Sequence, residues 1–218
     1  MVYLERSLLN GMPLELDEQY IKEGYRLIVG TDEAGRGCLL GPVFAAAVIL
    51  PIGFKSELIN DSKRLTAKQR EEAFEIITKN ALAYAISSVD PDTIDEVNIL
   101  NASRMAMQDA ISKLNHDFDL ILTDFMKMQG YRVPVVPLAH GDSLSQSIAA
   151  ASILAKVSRD RWCEQIDAKY PAYHIKKNKG YGTKDHLAAL KEFGPVKHLH
   201  RFSYGPIKAC FIEKISLF

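Results

Sequence analysis

The stretch LIVGTDEAGRG at residues 27–37 decides the fold class of this chain, and it is followed closely by a Gly-Pro pair at 41–42. Its apolar beginning predicts a buried strand. Its glycines predict a turn that a second backbone or a phosphate can approach closely. Two adjacent acids, Asp32 and Glu33, and a glycine-flanked arginine at one strand terminus together predict a divalent metal site beside a polyanion.

Apolar segments around this turn predict an α/β architecture. Residues 25–32 and 42–50 are apolar and separated by the turn, so they predict a strand pair. Further strands are predicted at 81–89, 119–124 and 133–138, the last near a sheet edge because it contains prolines. Helical periodicity and a capping-box pattern predict the remaining elements. These helices are expected at 4–24, 66–79, 100–114, 143–168, 184–193 and 208–217.

The order of the elements, with strands first and helices last, predicts an α/β domain with a helical C-terminal appendage. The 218 residues are enough for one large domain. We divide the chain into a helical lead-in at 1–24, a catalytic domain at 25–169 and a helical substrate-contacting region at 170–218.

The composition excludes several classes of protein. Lys plus Arg and Asp plus Glu number 27 each, whereas a non-specific nucleic-acid binder is usually basic, so any nucleic-acid contact must come from a local patch. The three cysteines lack metal-ligand spacing and fit a reducing compartment. No apolar run reaches about 18 residues, and no signal peptide precedes the first strand. We therefore expect a cytoplasmic monomer without a membrane span.

Four carboxylates at the ends of apolar elements are the candidate metal ligands: Asp32, Glu33, Asp124 and Asp142. Mg²⁺ and Mn²⁺ prefer such oxygen ligands, and two ions about 3.5–4 Å apart can promote phosphodiester cleavage. Because neighbours on a strand point to opposite faces, Asp32 and Glu33 converge only if the strand ends or distorts there. Structural roles remain the alternative, with Asp142 as a helix cap and Asp124 as an ordinary strand-end residue.

Five blocks of the sequence, in order, resemble bacterial ribonuclease HII. They are DEAGRG at 32–37 with GPV at 41–43, DSKRL at 61–65, GD at 141–142 leading into SIAAASILAKVSRD at 147–160, KGYGT at 179–183 and HRFS at 200–203. The resemblance implies a ribonuclease-H-like fold, with a mixed central sheet flanked by helices. It implies an endonuclease that hydrolyses the RNA of RNA–DNA hybrids, cuts 5′ of ribonucleotides embedded in duplex DNA and leaves 5′-phosphomonoesters. It also implies that the four carboxylates bind Mn²⁺ or Mg²⁺, as two ions when substrate is bound.

A ribonuclease must distinguish ribose from deoxyribose by the 2′-hydroxyl. Gly35 and Gly37 allow a backbone to approach that group closely, and the resemblance implies that this turn recognises it, with Arg36 near the phosphate. The alternative for Arg36 is a salt bridge to the metal carboxylates. The resemblance also implies that Tyr181 packs on the deoxyribose after the ribonucleotide, which would favour a junction. A core tyrosine is the alternative.

Basic and hydroxyl side chains in the matching blocks are candidate substrate contacts. The lysine or arginine contacts would be mainly electrostatic and salt-sensitive, and a solvated surface charge is the alternative for each of them. The basic candidates are Lys63, Arg64, Lys156, Lys179 and Lys184. Lys156 is the strongest because the rest of its helix is apolar, while Ser147 and Ser152 either face the substrate or permit close helix packing.

The chain departs from the family pattern in two places. Phe125 follows Asp124 where the family usually has glycine, and a phenylalanine cannot supply the backbone freedom of glycine. We therefore expect an altered loop at 125–133. The motif HRFSY at 200–204 replaces the commoner HRRSF, which removes one positive charge.

Other functions are weaker interpretations of the same residues. A hybrid-binding module that does not cleave would keep four acids that repel a phosphate backbone without metal. Another polynucleotidyl transferase would more often be basic or carry an extra DNA-binding domain, and a nuclease with a separate N-terminal domain needs more than about 25 residues before the first strand. A zinc site is disfavoured because only His198-x-His200 approaches ligand spacing. The apolar tail at 215–218 either packs on the core or binds a protein partner.

Overall fold

A single mixed sheet forms the centre of the protein. The computed structural model describes residues 15–60 and 62–215, the last five by their backbone only. The strands are β1 (Ile28–Ala34), β2 (Val43–Ile49), β3 (Ala83–Val89), β4 (Leu120–Asp124) and β5 (Val135–Leu138), in the order β3-β2-β1-β4-β5. Strand β2 is antiparallel to its neighbours β1 and β3, whereas β4 is parallel to β1 and β5 is parallel to β4.

Helices cover both faces of this sheet, and the helices nearest the C-terminus pack against the segment that follows β1. In chain order they are α1 (Leu16–Lys22), α2 (Ala67–Asn80), α3 (Pro91–Val97), α4 (Ile99–Ser112), α5 (Gln146–Asp167), α6 (Ile175–Asn178), α7 (Lys184–Phe193) and α8 (Gly205–Ile215). Helices α5 and α2 share a buried cluster with one face of the sheet, and α4 shares another with the opposite face. No helix within the described ranges is both long and apolar enough to cross a membrane.

Helix α5 lies unusually close to the central strand β1. A Cβ on Gly30 would come within 2.1 Å of the Ser147 backbone, so glycine is required by this close approach. The C-terminal helices pack on the segment after β1, because Leu39 and Leu40 share an apolar cluster with Tyr173 and Leu190. This packing brings the KGYGT segment beside the Gly-Arg-Gly turn.

Most of the predicted elements are confirmed within a few residues. All five predicted strands are present, and β5 lies at a sheet edge as its prolines predict. Thr66 and Gln69 form the predicted capping box of α2, and α7 has the bounds predicted for it. The predicted lead-in helix is described only from residue 15 onward, and the tail beyond residue 215 lies outside the described residues.

Two helix starts differ from the prediction, and one helix was not predicted. Helix α5 begins after Ser145, whose hydroxyl accepts from the Ile148 N–H, because Gly141–Ser143 forms a separate 3₁₀ turn. Helix α3 was not predicted: Asp90 caps it and Pro91 occupies its first turn, a combination that starts helices as well as ending strands. Helix α8 starts at Gly205, three residues before the predicted position.

Candidate active site

The four candidate carboxylates meet at one edge of the sheet. Strands β1 and β4 run parallel and their last pair is Thr31 with Thr123, so Asp32 and Asp124 follow next to each other at the strand ends. Asp142 lies in the 3₁₀ turn before α5. The N–H of Gly141 donates to Asp124 Oδ1 at 2.7 Å, which joins that turn to the end of β4.

Asp32 and Glu33 leave β1 on opposite faces of the sheet. Asp32 is paired with Ala46, which lies in the cluster under α5, whereas Glu33 is paired with Ala45, in the cluster under α4. The strand neither ends nor distorts at these acids on the side of β2, because β1 keeps its register with β2 as far as Ala34. The condition stated above for their convergence is therefore not met. The charge of Asp124 raises the pKa of both acids, so all three interact electrostatically across the sheet edge.

Asp32 is the most strongly perturbed acid of the group. Burial raises its pKa well above the ordinary range, and the charges of Glu33 and Asp124 raise it further. Its Oδ1 accepts from the Glu33 N–H at 2.7 Å, and the hydroxyl of Ser152 also hydrogen-bonds to it. Ser152 in turn lies 3.0 Å from the hydroxyl of Ser62, so the DSKRL block reaches the acids through two serines.

Glu33 has one oxygen paired and one oxygen without a partner. Its Oε1 accepts from Arg36 Nη1 at 3.1 Å, which is the salt bridge considered above as the alternative for that arginine. Its Oε2 is buried and has no hydrogen-bond donor within the described structure. Burial raises the pKa of Glu33, and the Arg36 guanidinium opposes that shift. An orphaned buried carboxylate oxygen is costly unless a cation or a donor reaches it.

Asp124 and Asp142 are held by different groups. Burial raises the pKa of Asp124, and the hydrogen bond from Gly141 opposes that shift. Asp142 is buried and accepts from Lys63 Nζ at 3.1 Å, while 77% of the Lys63 side chain is exposed. The alternative of Asp142 as the cap of α5 is wrong, since Ser145 caps that helix.

These residues fit a hard divalent cation. Burial and the charges of neighbouring carboxylates raise the pKa of Asp32, Glu33 and Asp124, and one buried oxygen of Glu33 has no donor. With Asp142 they form the donor set that Mg²⁺ and Mn²⁺ prefer. In the conformation described, no three acidic, histidine or cysteine groups of residues 15–60 and 62–215 converge as ready-made ligands. Three of the carboxylates have protein partners in this conformation, namely Arg36, Lys63 and the Gly141 N–H. A bound ion would compete with these partners.

The Gly-Arg-Gly turn and Tyr181 are neighbours, although they are far apart in the sequence. A Cβ on Gly37 would lie 3.9 Å from the Tyr181 ring, and Gly35 has a φ of +99°. A Cβ on Gly35 would lie 2.1 Å from Arg159 Nε, so glycine is needed there for both reasons. Tyr181 is 45% exposed, which excludes the alternative of a core tyrosine.

Two buried arginines beneath this turn were not predicted from the sequence to belong to the site. Arg159 donates to the carbonyls of Lys179 at 2.8 Å and Leu40 at 3.3 Å. Arg201 donates to the carbonyls of Gly41 at 2.9 Å and Arg36 at 3.0 Å. Neither forms an ion pair with a carboxylate in the described parts of the chain. The only signal for them was their membership of the SRD and HRFS blocks.

The predicted phosphate contacts have acidic or solvent environments. Lys156 pairs with Asp160 at 2.5 Å and Lys179 pairs with Glu164 at 3.1 Å, whereas Arg64 and Lys184 are exposed. Ser147 does not face the acids, since its N–H and hydroxyl both donate to Asp17 beyond the other end of β1. His198 is near Asp92, and His200 is buried against His186 instead.

The comparison with protein families is decisive at this point, because a family model described as Ribonuclease HII matches residues 29–206. The chain belongs to the ribonuclease HII family. It is 52% identical to the ribonuclease HII of Ruminiclostridium cellulolyticum over 88% of this chain and 74% of the relative. It is 50% identical to that of Caldicellulosiruptor saccharolyticus over 87% and 92%.

Solved structures show the same fold. Ribonuclease H2 from Pyrococcus horikoshii OT3 aligns with a TM-score of 0.74 at 24% identity, over 86% of this chain and 98% of that one. RNase HII from Archaeoglobus fulgidus, solved as a complex with PCNA, aligns with a TM-score of 0.67 at 26% identity, over 80% and 92%. Bst-RNase HIII in complex with Mn²⁺ aligns at 0.64 and 18%, over 86% and 70%. The predicted ribonuclease-H-like fold is thereby confirmed.

Family membership fixes the general activity. The chain is a type 2 ribonuclease H, an endonuclease that acts on RNA–DNA hybrids. Divalent-metal dependence belongs to this family, and it agrees with the donor set at the sheet edge.

Proposed function

We propose that Asp32, Glu33, Asp124 and Asp142 hold the metal ions and that the enzyme cuts 5′ of ribonucleotides embedded in duplex DNA, as well as within longer hybrids. The observation that carries this proposal is the meeting of four acids, one with a buried unpaired oxygen, at the sheet edge where the Gly-Arg-Gly turn begins. All of these groups come from one chain, so a monomer is sufficient.

The metal is Mg²⁺ or Mn²⁺ in this proposal, with two ions in the substrate complex. When bound, such ions polarise the scissile phosphate and lower the pKa of the attacking water. Asp32 and Asp124 are adjacent at the strand ends and belong to the same ion-binding edge. Glu33 contributes the oxygen that lacks a donor.

Arg36 and Lys63 balance the acids and can also serve the substrate. Both carry positive charge beside a carboxylate at 3.1 Å, and Lys63 is largely exposed. A cation that replaces them at Glu33 and Asp142 would leave both free to move toward the phosphates of the incoming strand. Lys156 and Lys179 each neutralise an acid on α5 and supply positive charge along the same side.

The Gly-Arg-Gly turn recognises the 2′-hydroxyl through its backbone in this proposal. The carbonyl of Arg36 already accepts from Arg201 and from the Tyr204 hydroxyl. The Gly35 carbonyl accepts from the Cys38 N–H at 3.4 Å. The groups that meet the 2′-hydroxyl are therefore the N–H groups of the turn or the carbonyl of Gly37. Arg201 and Arg159 fix the turn from below, which holds these groups in place before the substrate arrives.

Tyr181 completes the recognition of a junction. Its ring is exposed beside Gly37, while its carbonyl accepts from His186 Nδ1 at 2.9 Å. We propose that the ring packs on the sugar that follows the ribonucleotide, where a 2′-hydroxyl would crowd it. The region 170–218 contacts the substrate chiefly through this residue.

Cleavage of a DNA duplex with one embedded ribonucleotide tests this function. We expect a single cut on the 5′ side of the ribonucleotide with Mg²⁺ or Mn²⁺, no cut with EDTA, and no cut of the matching all-DNA duplex. Equal cleavage of the all-DNA duplex, or full activity in EDTA, would contradict the proposal.

A further inference from the structure

Phe125 combines backbone strain with an exposed ring directly after a proposed metal ligand. Its φ is +60°, which is a genuine outlier for a bulky side chain. The Met126 N–H donates to the Asp124 carbonyl at 2.7 Å, so Phe125 is the central residue of a three-residue turn. A γ-turn with positive φ is rare and strained. The ring is 64% exposed.

The strain is imposed by firm contacts on both sides of Phe125. Its N–H donates to the Leu138 carbonyl at 2.8 Å. The Thr123 hydroxyl donates to the Met126 carbonyl at 2.6 Å, and Met126 and Met128 are buried in the cluster under α4. The turn therefore stays in place whether or not the ring makes any contact of its own.

No contact among the described side chains accounts for a phenylalanine at this position. The ring belongs to none of the apolar clusters formed by the described residues. Glycine would meet the backbone requirement without strain, and a polar side chain would suit the exposure. Strained residues that persist at a site without a packing reason point to a role in that site.

Phe125 and Tyr181 are exposed aromatic residues near the ends of neighbouring strands. Tyr181 lies beside the turn that follows β1. Phe125 directly follows β4, and its N–H reaches Leu138 of β5. Each of the two strands that carry Asp32, Glu33 and Asp124 thus has an exposed aromatic residue near its end.

We propose that Phe125 is a second aromatic substrate contact, whose ring packs on the sugar face of a nucleotide near the end of β4. This inference rests on the proposed function. Packing of this kind needs no particular base and no 2′-hydroxyl. Phe125 therefore adds affinity for any duplex that extends far enough past Asp124, whereas Tyr181 adds preference for a junction.

The test compares four variants at Phe125 with an exposed phenylalanine elsewhere. Phe125→Ala and Phe125→Leu remove the ring, Phe125→Trp keeps an aromatic ring, and Phe125→Gly removes the ring and the strain together. Phe193→Ala is the matched control, since Phe193 is also exposed and lies at the end of α7. KM and kcat are measured on a duplex with one ribonucleotide and on a long hybrid.

We expect Phe125→Ala, Phe125→Leu and Phe125→Gly to raise KM about ten-fold on both substrates, with kcat within about two-fold of wild type. Phe125→Trp and Phe193→Ala should keep the wild-type KM. A wild-type KM for Phe125→Ala would overturn the proposal. So would restoration of KM by Phe125→Gly, because that result would assign the effect to the turn rather than to the ring.

A binding measurement separates this inference from the proposed function. The affinity of each variant for a labelled duplex is measured by fluorescence anisotropy with Ca²⁺ in place of Mg²⁺. If the wild type fails to cleave, the proposed function is wrong, while about ten-fold weaker binding by Phe125→Ala would still support the contact. Equal binding by wild type and Phe125→Ala would overturn it.

Discussion

The acid edge and the Gly-Arg-Gly turn are adjacent, but they are built on opposite physical principles. The acid edge, formed by Asp32, Glu33, Asp124 and Asp142, gathers like charges, which together with burial raise the pKa of Asp32, Glu33 and Asp124. The turn at 35–37 is fixed by two buried arginines: Arg201 donates to the carbonyls of Arg36 and Gly41, and Arg159 packs against Gly35 and donates to the carbonyls of Leu40 and Lys179. The first region is destabilised until a cation arrives, whereas the second is ordered before the substrate arrives.

This difference matches the separate roles of the two regions, because the acids serve metal binding and the turn serves recognition of the sugar. A catalytic metal site gains from acids whose charges are poorly compensated, because the ion then relieves the repulsion. A sugar-recognising backbone gains from rigidity, because any ordering that is complete before binding does not weaken affinity. Substitutions in the two regions should therefore have opposite effects on stability.

Asp32→Asn has the largest expected effect. We expect kcat on the single-ribonucleotide duplex to fall on the order of a thousand-fold, because the variant loses a charged ligand at the acid edge. The measurement is initial rate under saturating substrate with Mn²⁺. Glu192→Gln, a change at an exposed acid of α7, is the control and should keep the wild-type rate. Activity above a tenth of wild type in Asp32→Asn would remove Asp32 from the metal site.

Arg201→Lys tests the Gly-Arg-Gly turn, the more rigid of the two regions. A lysine cannot reproduce the fork that donates to Gly41 and Arg36, so at least one buried carbonyl loses its donor. We expect the free energy of unfolding to fall by about 2 kcal/mol, measured by urea denaturation. Discrimination between the ribonucleotide duplex and the all-DNA duplex should fall as well. An unchanged stability together with unchanged discrimination would show that the turn does not depend on Arg201.

The buried pair His186–His200 links this rigid region to pH. The two Nε2 atoms are 3.3 Å apart, the Val196 N–H donates to His200 Nδ1, and His186 Nδ1 contacts the Tyr181 carbonyl. Burial lowers the pKa of His200 to about 4, and the charge of His186 contributes. As the pH falls, His200 therefore takes up a proton in the unfolded chain before it does so in the folded protein. The folded protein consequently loses stability progressively from about pH 6.5 down to about pH 4.

When the pH is lowered from about 7.5 to about 5, we expect the free energy of unfolding of the wild type to fall by about 2 kcal/mol more than that of His200→Asn. The comparison with the variant is needed because the buried acids at the sheet edge shift stability in the opposite direction. The measurement is urea denaturation of both proteins at both pH values. Parallel pH profiles for the two proteins would exclude His200 as the source.

Tyr181→Ala has the smallest expected effect of the four. We expect kcat/KM to fall about ten-fold on the single-ribonucleotide duplex, because the sugar contact beside Gly37 is lost. On a long hybrid, where no deoxyribose follows the cleaved ribonucleotide, the loss should be smaller. Equal losses on both substrates would argue against recognition of a junction by this ring.

The sequence predicted the strands and the residues of the acid edge better than it predicted the directions and contacts of the acid side chains. Apolar runs and motif blocks are local signals, so the strands and the four candidate acids could be predicted from the sequence alone. The opposite directions of adjacent strand residues follow from the sequence, but the face of the sheet that Asp32 and Glu33 each take needed the register with Ala46 and Ala45. The orphaned oxygen of Glu33 likewise depends on contacts made after folding.

The supporting groups were missed because their importance depends on burial. Arg159 and Arg201 have the sequence appearance of surface charges, yet both are buried beneath the turn. His186 and His200 are separated along the chain and meet only when α7 packs against the HRFS segment. Phe125 was recognised as a departure in the sequence, but the expectation that phenylalanine could not replace glycine there is wrong, because Phe125 adopts a φ of +60°.

The most direct test of the contrast between the two regions is the melting temperature of wild type and Asp32→Asn, each in EDTA and in Mn²⁺. Removal of a buried, repelled charge should make Asp32→Asn more stable than wild type in EDTA. Mn²⁺ should raise the melting temperature of wild type and leave that of the variant nearly unchanged. Equal stabilisation of both proteins by Mn²⁺, or a variant that is less stable than wild type in EDTA, would contradict the account.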